Sequence, residues 1–369
     1  MKAEIQAFAA EHLDEVLRLT QELAVIPAPS HHEEKRAAYC LSWLRENVSP
    51  EAFLDEVNNV ICTVGDPQNP AVLFMAHTDI VFDADTPLQV TERDGKLYCP
   101  GIGDDTAHVA MILLCAKYAA KHPPKDLCLI FSANVCEEGQ GNLKGCRALM
   151  ERYGKNLREV ITFDGYMDML TDRAVGSSRY RIAADTEGGH SLWNFGNTNA
   201  IAVMAEIIFA LKEIPLPKED VTTFNFGNIS GGTTVNSIAQ HCEMLYEFRS
   251  DSAENLAYMK EQFNHVMERF GERYRVTVTS IGERPCAKGV DPVAFQALLE
   301  RVEAVFEELP APKRSPGSTD ANLPLSMGIP ALCIGFIGGA GLHTVEEYVV
   351  KDSLPGGFAA AVRLVDSYL

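Results

Sequence analysis

Short apolar runs alternate with longer amphipathic stretches through the first half of the chain. Three of the runs, 71–76, 127–133 and 160–163, are largely hydrophobic, which is typical of strands buried on both faces of a parallel sheet. Around them, the patterns typical of helices lie at 4–24, 33–46, 106–121 and 142–153. The alternation predicts an α/β fold, with a mostly parallel sheet and helices on both of its faces.

The pattern changes near residue 172 and changes back near residue 283. In between, strands and helices are predicted in the order βαββαβ, at 178–185, 197–212, 221–228, 238–250, 254–270 and 274–281. This order predicts a four-stranded antiparallel sheet with two helices on one face. After residue 283, the alternation of strands and helices resumes, with a helix at 291–308, a strand at 330–336 and a helix at 352–368. We therefore expect one domain made of 1–172 and 283–369, into which a smaller α+β domain, 173–282, is inserted.

A local signal marks the start of the second predicted helix. Ser30 and, three residues later, Glu33 form a capping-box pattern, in which the two side chains satisfy backbone N–H groups of the first helical turn. On this interpretation the intervening His31 and His32 belong to the helix start and are not ligands.

Composition and charge narrow the classes of partner. The 369 residues carry a formal net charge of −19, which argues against a nucleic-acid surface and against binding to an anionic membrane. The first 26 residues predict an amphipathic helix and not a signal peptide, and no apolar run approaches the roughly 18 residues of a membrane span. The ten cysteines form no Cys-x-x-Cys pair, so we expect reduced thiols and a cytoplasmic protein.

Histidines and carboxylates lie just past several of the predicted strands or in short glycine-rich and loop segments. They are His77, Asp79, Asp104, Asp105, Glu137, Glu138, Asp164 and His343. Polar residues beyond the carboxyl ends of parallel strands meet in one crevice of the sheet. So much charge in one place indicates metal ions, because an unpaired buried charge is costly.

The order of these residues suits a site for two divalent ions. His77 would be a nitrogen ligand whose ring is oriented by Asp79, and Asp104 would bridge the two ions. The remaining ligands would be Asp164 for one ion, and Glu138 and His343 for the other. Carboxylate and imidazole ligands suit Zn²⁺, and also Mn²⁺ or Co²⁺.

Charge arithmetic and a second, adjacent carboxylate indicate hydrolysis. Three ligand carboxylates (−3) against two divalent ions (+4) leave a net charge of +1, which one bridging hydroxide would neutralise. Such a hydroxide is the nucleophile of a two-metal hydrolase. Because Glu137 stands next to Glu138, one carboxylate of the pair can bind metal while the other accepts the proton of the attacking water.

At this point the sequence resembles a known family, the two-metal peptidases that include peptidase T, carboxypeptidase G, succinyl-diaminopimelate desuccinylase and the aminoacylases. The matching stretches are AHTDIVF (76–82), PGIGDDTAHVA (100–110), CEEGQGNLKG (136–145), FDG (163–165), EGGHS (187–191), GSTDANLPLSMGIPAL (317–332) and GLHTVEEYV (341–349). They span nearly the whole chain in the order of the family. The Gly-Asp-Asp-Thr-Ala-His segment, 103–108, is most similar to Ala-Asp-Asp-Lys-Ala-Gly of peptidase T.

The resemblance implies a role for each matched residue. It implies a catalytic α/β domain that carries an inserted lid, usually the dimerisation domain. One ion would be held by His77, Asp104 and Asp164, and the other by Asp104, Glu138 and His343. Glu137 would be the general base, Asp79 would support His77, and the Asp104–Asp105 peptide bond would be cis.

Three further residues are matched in the lid. The resemblance implies that His190 reaches the site of a partner subunit and stabilises the oxyanion of the tetrahedral intermediate, and that Asn236 and Arg249 contact the substrate. The residues alone allow simpler interpretations, in which His190 is a turn residue and Arg249 makes a salt bridge at a strand end. Arg249 is also a suitable fork for a substrate carboxylate.

Departures from the family concern substrate choice more than catalysis. Thr106 replaces a usual Lys, Cys136 replaces a common Asp before the glutamate pair, and Trp193 follows the lid histidine where small residues are more usual. None of the three removes a predicted ligand or the base.

The sequence therefore predicts a dinuclear metal-dependent hydrolase of amide bonds in small peptide-like substrates. An exopeptidase on short peptides, such as an aminopeptidase, is the first hypothesis, acting as a homodimer through the lid. A deacylase of N-acyl amino acids is the alternative within the enzyme class. A metal-binding but inactive scaffold is disfavoured by the intact Glu137, and a metal-dependent nuclease or phosphatase is a further rival, whose nuclease form the acidic charge argues against.

Overall fold

The computed structural model describes residues 2–369, which divide into two compact units. The first unit joins the chain up to Ala174 to Lys288–Leu369, and the second unit is Val175–Ala287. The chain thus leaves the first unit once and returns to it. The two junctions fall within a few residues of the changes of pattern in the sequence.

The regular elements are numbered here in chain order. The helices are α1 (Lys2–Glu11), α2 (Leu13–Ala24), α3 (Glu34–Asn47), α4 (Ala107–Lys121), α5 (Lys144–Tyr153), α6 (Ala200–Lys212), α7 (Ala253–Gly271), α8 (Pro292–Ala304), α9 (Asn322–Ser326) and α10 (Leu354–Asp366). The strands are β1 (Phe53–Leu54), β2 (Val60–Gly65), β3 (Ala71–His77), β4 (Thr91–Arg93), β5 (Lys96–Tyr98), β6 (Cys128–Asn134), β7 (Leu157–Phe163), β8 (Met169–Ala174), β9 (Gly176–Asp185), β10 (Gly189–His190), β11 (Thr222–Gly231), β12 (Ser237–Ile238), β13 (His241–Ser250), β14 (Arg275–Arg284), β15 (Lys313–Gly317), β16 (Ala331–Ile334), β17 (Gly339–Ala340) and β18 (Tyr348–Val350). Short helical turns lie at Ile102–Thr106, Gly139–Gly141 and Lys351–Ser353.

The first unit is built on an eight-stranded sheet in the order β1-β2-β6-β3-β7-β16-β8-β15. Its centre, β6-β3-β7-β16, is parallel throughout, and antiparallel pairs occur toward the edges, between β2 and β6 and between β16 and β8. A small four-stranded sheet, β17-β18-β5-β4, belongs to the same unit. The predicted α/β fold with a mostly parallel sheet is confirmed.

Strand β3 shows why a central strand can be apolar at six successive positions, 71–76. Ala71, Leu73 and Met75 belong to one hydrophobic cluster, whereas the alternate residues of the same strand, Val72, Phe74 and Ala76, belong to another. Because successive side chains of a strand point to opposite faces, the two clusters lie on the two faces of the sheet. Both faces are therefore covered, as expected for parallel strands.

The amino-terminal region differs from the prediction in two respects. The helix expected at 4–24 is interrupted at His12, which separates α1 from α2. The capping box at the start of α3 is wrong, because neither side chain caps the helix. Ser30 Oγ instead donates to Asp79 Oδ2 at 2.6 Å, and Glu33 Oε1 accepts a hydrogen bond from the backbone N–H of Cys136 at 3.0 Å. Both side chains are used in contacts with distant parts of the chain.

The second unit contains a four-stranded antiparallel sheet in the order β11-β13-β9-β14. Alternate residues of β13, from Cys242 to Phe248, are buried and share one hydrophobic cluster with residues of α6 and α7. The other face of β13 carries partly exposed residues such as Glu243, Glu247 and Arg249. The predicted sheet with two helices on one face is confirmed, although β13 starts at His241 and not at residue 238.

Two whole-chain expectations concern membranes and cysteines. In the part of the chain that the structure describes, none of the helices combines the length and the apolar character that crossing a membrane requires. The ten cysteines are buried and form no disulfide within residues 2–369, as expected for reduced thiols.

Candidate metal centre

Neighbouring strands of the central sheet deliver the predicted ligands to one edge. Strand β3 ends at His77, β7 ends one residue before Asp164, and β6 ends shortly before Glu137 and Glu138. In the sheet order these strands are adjacent, as β6-β3-β7. Because the three strands are parallel, their carboxyl ends lie at the same edge, which is why residues 26 to 87 positions apart in sequence meet there.

Asp104 lies between two imidazole rings. Its Oδ1 is 3.0 Å from Nε2 of His77, and its Oδ2 is 3.0 Å from Nε2 of His343. Nε2 of His343 is also 3.1 Å from Oε1 of Glu138. The two oxygens of one carboxylate thus face two different sets of partners, which is the arrangement expected of a bridging ligand.

Three groups of side chains place candidate ligand atoms within 4.8 Å of one another. They are His77 with Asp104 and Asp164, Asp104 with Glu138 and His343, and His77 with Glu137 and Glu138. The first two groups share Asp104 and correspond to the two sets predicted from the sequence. Glu137, the expected base, therefore lies beside the ligands, with only 5% of its surface exposed.

The protonation of His77 tests whether these residues fit a metal ion. Its Nδ1 is 3.1 Å from the backbone carbonyl oxygen of Asp79, which can only accept, so in the neutral ring Nδ1 carries the proton and Nε2 carries the lone pair. This Nε2 is buried and forms no hydrogen bond with any group in residues 2–369, although it faces a carboxylate oxygen of Asp104. Two lone pairs facing each other repel, so either a proton or a metal cation must lie between these two atoms. Two atoms bound to one tetrahedral Zn²⁺ at about 2.0–2.1 Å would stand roughly 3.3 Å apart, close to the 3.0 Å between these two.

The titration of the neighbouring carboxyls points the same way. Burial raises the pKa of Glu138 to about 7, against the hydrogen bond from His343, and the charges of Asp104 and Glu137 add to the rise. Burial and the charge of Asp104 also raise the pKa of Asp164 well above its usual range. Crowded negative charge thus opposes ionisation of Glu138 and Asp164, and bound cations would relieve this repulsion. The donor set therefore fits divalent metal ions.

Asp79 organises the glutamate pair as well as the histidine. Its Oδ1 accepts a hydrogen bond from the backbone N–H of Glu137, and its Oδ2 accepts one from that of Glu138, both at 2.9 Å. Nδ1 of His77 lies nearer to the carbonyl oxygen of Asp79 than to its carboxylate, at 3.1 Å and 3.4 Å. Ser30 completes the carboxylate shell with its hydroxyl. Asp79 thus fixes the chain at 137–138, a role that the sequence did not indicate.

The loop that carries Asp104 is held by a second buried carboxylate. Glu347 accepts hydrogen bonds from the backbone N–H groups of Gly101, Gly103 and Asp104, each at 2.8 Å. Gly101 has φ +71°, and a Cβ on Gly103 would lie 2.8 Å from the Glu347 carboxylate, so this loop requires both glycines. The Asp104–Asp105 peptide bond is cis, as the resemblance implied.

Glu347 was missed by the sequence analysis. Burial and the charge of Asp104 raise its pKa to about 7, while three backbone donors lower it. The available signal was its position, four residues after His343 in a matched stretch. Since the same short segment carries the predicted ligand His343 and clamps the Asp104 loop, the two parts of the site are joined through it.

Comparison with known proteins identifies the family. The model of the family described as "Peptidase family M20/M25/M40" matches residues 73–367, well over half of the chain. The chain belongs to this peptidase family. It is accordingly a metal-dependent hydrolase of the peptidase and amidohydrolase type.

Individual relatives are distant but extend over most of the chain. Succinyl-diaminopimelate desuccinylase of Acinetobacter baumannii is 25% identical over 354 residues, which cover 90% of this chain and 92% of that protein. Aminopeptidase PepT of Bacillus cereus is 22% identical, with a TM-score of 0.70 over 96% of this chain and 99% of that one. A metallo-carboxypeptidase of the M20 family from Sulfolobus solfataricus is 14% identical, with a TM-score of 0.77 over 96% and 99% of the two chains. At these identities the structural matches show a shared fold.

In this M20-type chain the predicted lid histidine is held by its own loop. The His190 ring stacks on Trp193 with centroids 4.3 Å apart and planes at 25°. Nδ1 of His190 accepts a hydrogen bond from the backbone N–H of Leu192 at 3.2 Å, so the proton of the neutral ring lies on Nε2. The side chain of Trp193 is 81% exposed. The loop thus presents a ring whose Nε2 is a hydrogen-bond donor.

The other two lid residues lie at different ends of the second unit. Asn236 adjoins His190, because β10 pairs with β12 and the backbone carbonyl of Asn236 accepts from Ser191 N–H at 3.0 Å. Arg249 lies near the far end of β13, whose first residue is His241. Eight residues of strand, roughly 26 Å, separate Arg249 from His241. Within one copy of the unit, His190 and Arg249 therefore do not meet.

Arg249 already has a carboxylate partner. Its Nε and Nη2 donate to the two oxygens of Glu247, both at 3.0 Å. Glu247 also lies 3.5 Å from Nε of Arg179 on the neighbouring strand. The simpler interpretation, a salt bridge on the strand, is therefore present, and a substrate carboxylate would have to share or displace Glu247.

Proposed function

We propose that the protein is a dinuclear metal-dependent exopeptidase that hydrolyses amide bonds of short peptides. The observation that supports this most strongly is Asp104, whose two oxygens face the separate imidazoles of His77 and His343 at 3.0 Å each. A single carboxylate shared in this way would suit two divalent ions, as in two-metal aminopeptidases.

One ion would be held by His77, Asp104 and Asp164, and the other by Asp104, Glu138 and His343. The ligand set suits Zn²⁺, with Mn²⁺ or Co²⁺ as alternatives. When bound, the ions would polarise the scissile carbonyl and lower the pKa of water.

Glu137 is proposed to move the proton. It is buried beside the ligands and is fixed through its backbone N–H by Asp79. A general base must stay within hydrogen-bond reach of the attacking water, and Glu137 could then deliver the proton to the leaving amine. The neighbouring Glu138 contacts His343 and is thereby committed to the ligand set.

His190 is proposed to stabilise the oxyanion in the site of a partner subunit. Support comes from its tautomer, which leaves an N–H donor at Nε2, and from its distance along the sheet from Arg249. If both residues serve one active site, they come from two copies of the chain. The second unit offers surfaces for such a homodimer, since β11 is an edge strand and Phe209 on α6 is 68% exposed.

Mixing two inactive variants tests this assignment. His190→Ala removes the donor and Glu137→Gln removes the base, so a hybrid dimer should contain one site that lacks neither group if His190 acts in trans. We expect the mixed sample to recover up to about a quarter of wild-type activity by random reassortment, measured after subunit exchange. Hybrids that form, as shown by mass spectrometry, without recovered activity would contradict the assignment in trans.

Asn236 and Arg249 are proposed as substrate contacts, with Arg249 binding the α-carboxylate of the peptide. The proposal is supported by the planar fork of the guanidinium, which suits a carboxylate. Glu247 would compete with the substrate carboxylate for the guanidinium.

The buried and unpaired thiols support a cytoplasmic location as part of the proposal.

A substrate screen tests the proposed function. Zn²⁺-loaded enzyme should cleave di- and tripeptides with higher kcat/KM than N-acyl amino acids, the substrates of the deacylase alternative. Amidation of the peptide carboxyl should lower kcat/KM. The drop should correspond to a loss of about 1.5–3 kcal/mol of binding free energy, the range of a charge-assisted hydrogen bond. Arg249→Lys should show a smaller difference between acid and amide. A preference for N-acyl amino acids would replace the exopeptidase by the deacylase.

A further inference from the structure

A second histidine is buried next to the metal centre and has no place in the proposed reaction. His108 lies in the first turn of α4, and its side chain is fully buried. Its Nδ1 is 2.5 Å from Oδ1 of Asp105, and its Nε2 accepts a hydrogen bond from the backbone N–H of Phe336 at 3.0 Å. In the peptidase T segment that this sequence resembles, a glycine stands at the position of His108.

These contacts define a single state of the ring. Because the Phe336 N–H can only donate, Nε2 of His108 carries a lone pair and Nδ1 carries the proton. Burial lowers the pKa of His108 to about 3, so the ring is neutral. Nδ1–H therefore donates to the carboxylate of Asp105.

Asp105 connects His108 to two of the proposed metal ligands, His77 and Asp104. Its second oxygen, Oδ2, accepts a hydrogen bond from the backbone N–H of His77 at 3.1 Å. Its own backbone follows directly on Asp104, the shared carboxylate. A continuous set of buried hydrogen bonds thus joins Phe336, just past the end of β16, to His77 at the end of β3 and to the Asp104 loop.

We propose that His108 is a positioning residue for the metal centre, which acts by donating from Nδ1 to Asp105 and so fixes the His77 backbone and the Asp104 loop for metal binding. This inference rests on the proposed ligand roles of His77 and Asp104. Partners that orient ligands in this way influence metal affinity even though they never touch the ion.

Two substitutions separate positioning from mere packing. The side-chain nitrogen of Asn occupies about the place of Nδ1 in histidine, so His108→Asn keeps the donor to Asp105 and loses the acceptor for Phe336. His108→Gln places its amide about where Nε2 lies, so it keeps the acceptor and loses the donor. Each variant removes one buried hydrogen bond, and we expect both to lower the melting temperature.

Only the donor to Asp105 should matter for the metal. Measured by competition between each folded variant and a chelating dye for Zn²⁺, His108→Gln should lose about 10–100-fold in affinity, the usual cost of removing an outer-shell partner. His108→Asn should stay within about threefold of the wild type, with kcat following the same order. Equal affinities in both variants, whether unchanged or reduced alike, would overturn the proposal.

Asp104→Asn serves as the reference for the metal site itself. If it loses Zn²⁺ while His108→Gln binds normally, the positioning role is wrong and the metal centre stands. If Asp104→Asn also binds Zn²⁺ like the wild type, the proposed metal centre fails and the role of His108 fails with it.

Discussion

Glu137→Gln should lower kcat by about 10²–10⁴-fold, the usual contribution of a general base, while both metal ions stay bound. The amide has the shape of the carboxylate and can still hydrogen-bond, but it cannot accept a proton at neutral pH. Its backbone anchor, the bond from Glu137 N–H to Asp79, does not involve the side chain and should be retained. Steady-state kinetics and metal analysis on the same sample provide the measurement.

The adjacent glutamate is the matched control. Glu138 lies 3.1 Å from His343 and belongs to a proposed ligand set, so Glu138→Gln should lose metal as well as activity. The two variants differ by one position and have identical chemistry. A Glu137→Gln enzyme that turns over near the wild-type rate would remove Glu137 from its role, and one that loses metal would make it a ligand.

The ends of the central strands were predictable because their physical signal is local. A strand buried on both faces contains a nearly continuous apolar run, and an ionisable residue directly after that run marks where the strand leaves the core. His77 and Asp164 follow such runs directly, and β3 and β7 end at or one residue before them. Parallel pairing then brings these ends to one edge, so their proximity needed no knowledge of the loops.

The supporting carboxylates were not predictable in this way. Ser30 and Glu33 fit a local capping box by spacing, yet their partners, Asp79 and Cys136, are 49 and 103 residues away. Glu347 lies in a segment with no periodicity, and its meaning comes only from the three N–H groups of the Asp104 loop. Contacts of this kind depend on the folded loops and leave no pattern in the adjacent sequence.

Arg249 illustrates a different limit. Its position on a strand was predicted, but its partner Glu247 lies two residues earlier on the same face, and the sequence alone did not decide which carboxylate the guanidinium would hold. Strand geometry makes i and i+2 neighbours on one face. A pair of this spacing between unlike charges is therefore a local signal for a salt bridge that the sequence analysis did not use.

Asp104→Asn is expected to abolish binding of at least one of the two metal ions and, with it, nearly all activity. The Asn side chain has almost the same shape, but it has one acceptor oxygen and no charge, so it cannot present two anionic atoms to two ions. His77 and His343 would each lose the carboxylate oxygen that now lies 3.0 Å away.

Metal content per chain and thermal stability together measure this prediction. A ligand that binds only the folded state raises the melting temperature, so Zn²⁺ should stabilise the wild type more than Asp104→Asn. Asp83→Asn, at an exposed position, makes the same chemical change and should behave as the wild type in both assays. Because both proposed sites share Asp104, its loss should be more severe than that of Asp164, which serves only one ion. Two ions bound with wild-type affinity in Asp104→Asn would refute the bridging role.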